Sequence, residues 1–306
     1  MATVVGVANA EKKSSHKTLW LLAIAGVAIV VAVIFALPNN PNLAAGFSTR
    51  QIGAIESILF LSGLMSGLSG FGFSAVGAAC LLLIQPILEA PLLQSLSTAN
   101  QLLSVEQLRE DMPKSGKAFW AGPGFCILGG IPGAVVGIWM LSHLPGKQLT
   151  TGFGILLVLY AIYSMVKPAG AKIKGFDGPM TAGVVGFIGG ALGGFTAFPG
   201  AAVVVWTGLR DLPKSANRAI VQPYIIMSQI FALTLIKLLH PNYLSHRFWL
   251  LLLVTLPAVL PGTFGGVMLY RRISDVNFKR VSYLLLGMSG LALLLKNFGP
   301  ALVKLF

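Results

Sequence analysis

The chain has 306 residues, of which 55% are hydrophobic and 10% charged, with 22 Lys and Arg against 9 Asp and Glu for a net charge of +13. A soluble domain carries roughly a quarter charged residues, so the composition excludes one and points to an integral membrane protein. Nucleic acid is excluded as a partner, because the basic residues are spread over short loops and form no run or stripe.

The first apolar run, 19–37, follows Lys12, Lys13 and Lys17. It has the length of a membrane span, and no small-x-small cleavage site follows Pro38, so it reads as a retained helix that starts in the cytoplasm. A polar link over 38–49 leads to two short apolar arms, 51–68 and 73–88, with a Gly-rich break between them. Spans are expected near 92–108, 119–141 and 149–166. A polar linker at 167–179 follows, and the pattern then recurs, with arms at 180–192 and 200–209 and spans near 216–239, 248–270 and 281–296.

The two halves match in detail. Gly63 and Gly67 correspond to Gly186 and Gly190, Glu89-Ala-Pro91 to Asp211-Leu-Pro213, and Pro132, Gly133 and Gly137 to Pro261, Gly262 and Gly266. Small residues four apart also have a plain reading as close helix packing. A helix broken at membrane depth is tolerated only where protein or a watery cavity covers it. One such break in each half marks the substrate site of a transporter built from inverted repeats. The expected fold is therefore an all-α integral membrane protein. Residues 1–50 hold a cytoplasmic tail, the first helix and the link. Residues 51–166 form repeat 1, 167–179 a cytoplasmic linker and 180–306 repeat 2, each repeat with a Gly-rich broken-helix hairpin.

Charge sets the expected orientation. With the amino terminus inside and each arm pair returning to the side it came from, only Arg50, Lys147, Lys237, Arg247, Lys296 and Lys304 among the basic residues fall outside. This is the positive-inside bias. It puts the carboxyl terminus in the periplasm or outside the cell, and it gives the two repeats opposite topology, the arrangement that supports alternating access.

Four stretches carry a family likeness: Ser66-Gly-Leu-Ser-Gly-Phe-Gly-Phe73, Gln94-Ser-Leu-Ser-Thr-Ala-Asn-Gln101, Gly189-Gly-Ala-Leu-Gly-Gly194 and Leu212-Pro-Lys-Ser-Ala-Asn-Arg218. With them the chain resembles the TauE/SafE family of membrane transporters, the sulfite exporter family, over nearly its whole length after the first helix. Family members usually carry a longer Gly run in the first hairpin, and often Ala-Thr-Ser where this chain has Thr98-Ala-Asn100. The resemblance implies export of a small anion across the inner membrane, with sulfite, sulfoacetate and other small organosulfonates as the substrate class. An importer of a small anion or ion is the alternative within transport. An integral membrane enzyme acting on a lipid or small acyl group is the alternative from another class.

A small anion needs donors inside the membrane. Half-helix amino termini and backbone amides at the breaks supply them, which selects Gly70, Phe71 and Gly72 in the first hairpin and Gly193, Gly194, Phe195 and Thr196 in the second. The spans behind the hairpins carry Ser97, Asn100, Gln101 and Gln222, polar groups that should face the bundle as site or as interhelical bonds. Arg218 is the charged candidate for an anion, through its bidentate fork, unless it snorkels to headgroups. Glu56 in the first arm is a candidate proton carrier, or a partner for Arg50. No HExxH, GxSxG or Walker A pattern and no Cys/His cluster occurs, so no catalytic residue, metal or cofactor is expected. The expected partners are the small anionic substrate, membrane lipid, a coupling proton or ion, and a second copy of the chain as a homodimer.

Overall fold

The computed structural model describes residues 46–302 except 78–79, 81–83, 85, 144–145, 167–174 and 176, together with Ile24 and Ala28. The predicted first helix at 19–37 lies outside the described residues apart from these two helical positions, as does most of the linker at 167–179. Among the described residues every regular element is a helix. This is what a lipid solvent requires, since a helix satisfies its own backbone.

Helix α1 (Thr49–Ser69) opens with a capping box: Ser48 Oγ accepts from the Gln51 amide, and Gln51 Oε1 accepts from the Ser48 amide at 2.9 Å. Gly70 ends it in the left-handed conformation, and a short α2 (Phe73–Gly77) packs back against it. Next come α3 (Pro86–Gln107) and α4 (Gly116–Phe119). The chain then passes through a π turn at Trp120–Gly124 into α5 (Phe125–His143). Pro123 in that turn lacks an amide, which favours the wider hydrogen-bonding pattern there. Helix α6 (Gly146–Val166) closes the first half. The second half holds α7 (Pro179–Thr196), α8 (Gly200–Leu209), α9 (Lys214–Leu239), α10 (His246–Arg272) and α11 (Asp275–Leu302).

Among the described residues four stretches, Thr49–Ser69, Gly116–Met140, Lys214–Leu239 and His246–Arg272, are long and apolar enough to cross a membrane. Leu159, Leu253 and Met288 stand exposed on the outer surface, where lipid rather than water would meet them. The second arm of the first hairpin differs from the expected 73–88. Among the described residues it holds α2 and a 3₁₀ position at Cys80, and Pro86 already starts α3, which runs straight through Pro91. The Glu89-Ala-Pro91 signal reads as a turn, but in the structure Pro91 lies in the second turn of the helix, where its missing amide costs one backbone bond. Its counterpart Pro213 does stop the chain, as the N-cap of α9.

The halves interlock. α1 lies along α10 and α5 along α7, and these two contacts are the most extensive in the structure; α6 pairs with α11 and α3 with α9. The small-residue motifs build the first two. A Cβ on Gly63 would sit 2.8 Å from the Val259 carbonyl oxygen, and one on Gly67 2.5 Å from that of Thr263. Gly129, Gly133 and Gly137 of α5 likewise abut the backbone of Gly183, Phe187 and Ala191 on α7. Helices without side chains at the contact approach closely, which is where dispersion packing in lipid comes from.

Candidate functional site

The site is built where the two hairpin tips meet the α3–α9 pair. Gly70 has φ +88°, a conformation that strains an L side chain, and a Cβ there would also meet Arg218 Cγ at 3.4 Å. The break amides are occupied. Gly70 N–H donates to the Ser66 carbonyl at 2.6 Å, and the amides of Phe71 and Gly72 donate to Ser69 Oγ at 3.4 and 3.1 Å. At the second tip Ala197 takes the left-handed conformation, φ 57°, and donates to the Gly193 carbonyl at 3.0 Å. The tips touch: Ser74 Oγ donates to the Ala197 carbonyl at 2.6 Å, and Phe71 and Phe198 stack with centroids 6.3 Å apart.

Beside the tips, α3 and α9 run in opposite directions and share a polar seam. Gln222 Nε2 donates to Gln101 Oε1 at 3.0 Å and to Ser104 Oγ at 2.9 Å. Deeper along both helices, Gln229 Nε2 donates to Ser97 Oγ at 2.7 Å. Gln101 Nε2 reaches the Gly70 carbonyl at 2.9 Å, tying the seam to the first tip. Asn100 Nδ2 donates to Ser66 Oγ at 2.7 Å, and its Oδ1 accepts from Thr263 Oγ1 at 2.7 Å. All of these side chains are buried, so each bond replaces one that water would otherwise make.

Arg218 closes the seam at the end of the bundle where the basic residues of α9, α10 and α11 gather. It is fully buried rather than extended toward a headgroup region. Its Nη1 donates to Ser104 Oγ at 3.1 Å, and its Nη2 donates to the carbonyls of Gly67 and Leu68, the latter at 2.9 Å. The guanidinium carbon lies 3.9 Å from the centroid of the Tyr270 ring, a cation–π contact. Tyr270 is itself held by Asp111, whose Oδ2 accepts its hydroxyl at 2.8 Å. Lys214 ties α9 to the turn after α10 by donating to the Ile273 carbonyl at 2.6 Å, and Lys279 pairs with Asp211 at 2.5 Å. Among the described residues Arg218 Nε and Gln222 Oε1 have no hydrogen-bond partner. One donor and one acceptor, both buried, therefore remain open beside Gly70.

The structure brings Gly70, Phe71, Gly72, Ser97, Asn100, Gln101, Arg218 and Gln222 into this tip-and-seam region. Gly193 and Gly194 stand elsewhere in the second hairpin. A Cβ on Gly193 would meet Pro199 Cβ at 2.7 Å, and one on Gly194 would meet the Ala134 carbonyl oxygen of α5 at 2.8 Å. Phe195 and Thr196 form the last turn of α7, and their side chains are outside the described residues. Glu56 lies more than three turns back along α1 from the tip. Sequence reasoning missed Ser66, Ser69, Thr263 and Tyr270. The two serines lie within the Gly-rich stretch itself, and their position on the tip is the signal that would have selected them.

The fold is that of a multi-pass, all-helical membrane protein with a buried polar seam. A family model described as sulfite exporter TauE/SafE matches residues 57–293. The chain belongs to that family. No curated protein and no solved structure matches it.

Proposed function

We propose that the protein is a secondary transporter that exports a small anion across the inner membrane, with sulfite, sulfoacetate or a related small organosulfonate as substrate. The observation that carries this reading is the buried guanidinium of Arg218, with its Nε unpartnered, at the junction of the first hairpin tip and the α3–α9 seam. A guanidinium recognises planar or tetrahedral oxyanions through parallel N–H bonds. In this structure its Nη2 holds the carbonyls of Gly67 and Leu68 while Nη1 holds Ser104, so an anion that takes the guanidinium also frees the end of α1.

The mechanism is alternating access between inverted repeats. Support comes from the reciprocal packing, α1 on α10 and α5 on α7, and from the opposite directions of α3 and α9, which occupy equivalent places in the two halves. The amino terminus is cytoplasmic, and the basic end of the bundle with Arg218 faces the cytoplasm, as the positive-inside bias requires.

The test is a thermal-shift screen of purified protein against sulfite, sulfoacetate, taurine and simple carboxylates. A ligand that binds only the folded state raises its apparent stability in proportion to RT ln(1 + [L]/Kd). A concentration-dependent rise with sulfite or sulfoacetate supports the reading. A rise with carboxylates alone replaces the substrate class, and no rise with any anion removes the anion reading.

A further inference from the structure

The interior of the bundle holds one buried acid and one buried base among the described residues, Glu56 and Arg218. Both act on α1. Arg218 grips the carbonyls of Gly67 and Leu68 at one end of that helix. Glu56 sits toward the other end, twelve residues before Leu68, a distance of about 18 Å at the rise of an α-helix. Glu56 is 3% exposed, and among the described residues neither of its carboxyl oxygens has a hydrogen-bond partner.

The turn that carries Glu56 contributes Ile52, Ile55 and Leu59 to an apolar cluster with Leu92, Leu96 and Phe248. The charged or titratable groups toward that end of α1 are Arg50 on α1 itself, Glu89 on α3, His246 and Arg247 on α10, and the Cys80 thiol in the same cluster. α2 carries none, and α11 meets the hairpin at its other end, through Leu285 beside Gly72. Neither Glu56 oxygen accepts a hydrogen bond from Arg50, His246, Arg247 or Cys80. Arg50 is exposed, and Arg247 stacks on Phe47.

A lone carboxyl in an apolar membrane interior is costly unless positive charge comes to it, and such residues mark ion or proton paths. A divalent metal cation needs several oxygen ligands. No group of three His, Cys, Asp or Glu occurs among the described residues. A proton is the cation that a single carboxyl holds by itself. α1 then links two events. It is one unbroken helix that meets α10 through glycines on both sides, Gly63 and Gly67 against the backbone of Val259 and Thr263, and Gly262 and Gly266 against that of Phe60 and Leu64. An anion that draws Arg218 away from Gly67 and Leu68 frees the helix to shift and changes what Glu56 faces.

We infer that Glu56 is the proton site of this transporter, coupled to the anion through α1. In each cycle the carboxylate takes one proton from water on one side and returns it on the other, with no bond but the O–H made or broken. The inference rests on the anion-transport reading above.

The test uses purified full-length chain in proteoliposomes, with sulfoacetate as probe because sulfite itself takes up a proton near neutral pH. Counterflow without a gradient reports anion exchange, and accumulation under a pH gradient reports coupling. Wild type and Glu56→Gln should both exchange sulfoacetate. Only wild type should accumulate it several-fold under the gradient, and Glu56→Asp should keep part of that coupling. Equal gradient-driven accumulation in Glu56→Gln overturns the inference. So does a wild type that exchanges the probe but responds only to sodium, or to no gradient. A wild type without exchange overturns the anion reading instead. The infrared carboxyl band of the purified protein then decides for Glu56. A protonated-carboxyl band that titrates in wild type and is missing from Glu56→Gln keeps the proton site, and its absence at every pH overturns it. Should Glu56→Gln fail to fold, Glu56→Asp answers the same question through a displaced titration; an unchanged one overturns the site.

Discussion

Gln222 donates from Nε2 to Gln101 Oε1 at 3.0 Å, a bond from α9 in the second half of the chain to α3 in the first. Gln101 follows Pro91 by ten residues on α3, and Gln222 follows Pro213 by nine on α9. Two helices that cross in opposite directions thus meet through the same side chain. The pair is also the hub of the seam: Gln101 continues to the Gly70 carbonyl and Gln222 to Ser104.

Breaking either side of that pair should expose the coupling between halves. Gln101→Ala, Gln222→Ala and the double variant form a thermodynamic cycle, read by denaturation in detergent. Interhelical hydrogen bonds in membrane proteins are worth about 0.6 kcal/mol on average and about 1.7 at most. A coupling energy in that range is expected, with the single variants each costing more because they strand a buried amide. Strict additivity would show that the two carboxamides do not interact in the protein.

The interlock of α5 and α7 predicts opposite outcomes for two glycines. A Cβ on Gly133 would run into the backbone of Phe187, whereas Gly152 on α6 has open space around it. Gly133→Ala should destabilise by about 1–3 kcal/mol, the scale of overpacking. Gly152→Ala should stabilise by about 0.5–1 kcal/mol through the unfolded chain. Size-exclusion profiles and melting temperatures in one detergent check both. Equal effects would remove the close contact as the reason for the Gly133 position.

Much of the helix order was legible in the sequence, because apolar length and Gly-Pro punctuation are local signals. The arm expected at 200–209 is α8, and the first arm at 51–68 is α1 within two residues at each end. Pro91 misled because the turn signal of Glu89-Ala-Pro91 is the same whether the helix has begun or not. At the site, buried carboxamides and one guanidinium stand out in an apolar chain and pointed to Gln101, Gln222 and Arg218. What holds Arg218 did not stand out. Its partners are the carbonyls of Gly67 and Leu68, which every residue possesses, and the face of Tyr270, which reads as an ordinary span-end aromatic. The occupied break amides were equally hidden, since Ser69 reaches them only after the turn at Gly70 has formed.

The proposed orientation is testable at exposed positions near the basic end. In a background lacking Cys80 and Cys126, Lys114→Cys and Arg272→Cys should be shielded from impermeant thiol reagents applied to intact cells and should label after permeabilisation. Arg50→Cys, at the opposite end of α1, should label from outside. Labelling of Lys114→Cys and Arg272→Cys in intact cells would reverse the topology and with it the side toward which Arg218 lies.

The sharpest prediction concerns the guanidinium itself. Arg218 makes three kinds of contact at once: a hydroxyl on Ser104, two carbonyls at the end of α1, and the ring of Tyr270. Lysine keeps the charge but loses the fork and the flat face, so Arg218→Lys should weaken binding of the anion found in the ligand screen by about 1–2 kcal/mol, the scale of a charged hydrogen bond. Arg218→Gln removes the charge and should weaken it further. Both variants also free the carbonyls of Gly67 and Leu68, so melting temperatures must accompany the calorimetry. A loss of stability with unchanged affinity would mean that Arg218 serves only to staple α1 to α9. Tyr270→Leu separates the two roles, because it leaves the fork and its carbonyl partners in place while taking away the cation–π face. That variant should keep most of the affinity and lose stability by about 0.5–2 kcal/mol. Wild-type affinity in folded Arg218→Gln would leave the anion without its guanidinium and move the search for its donors elsewhere along the α3–α9 seam.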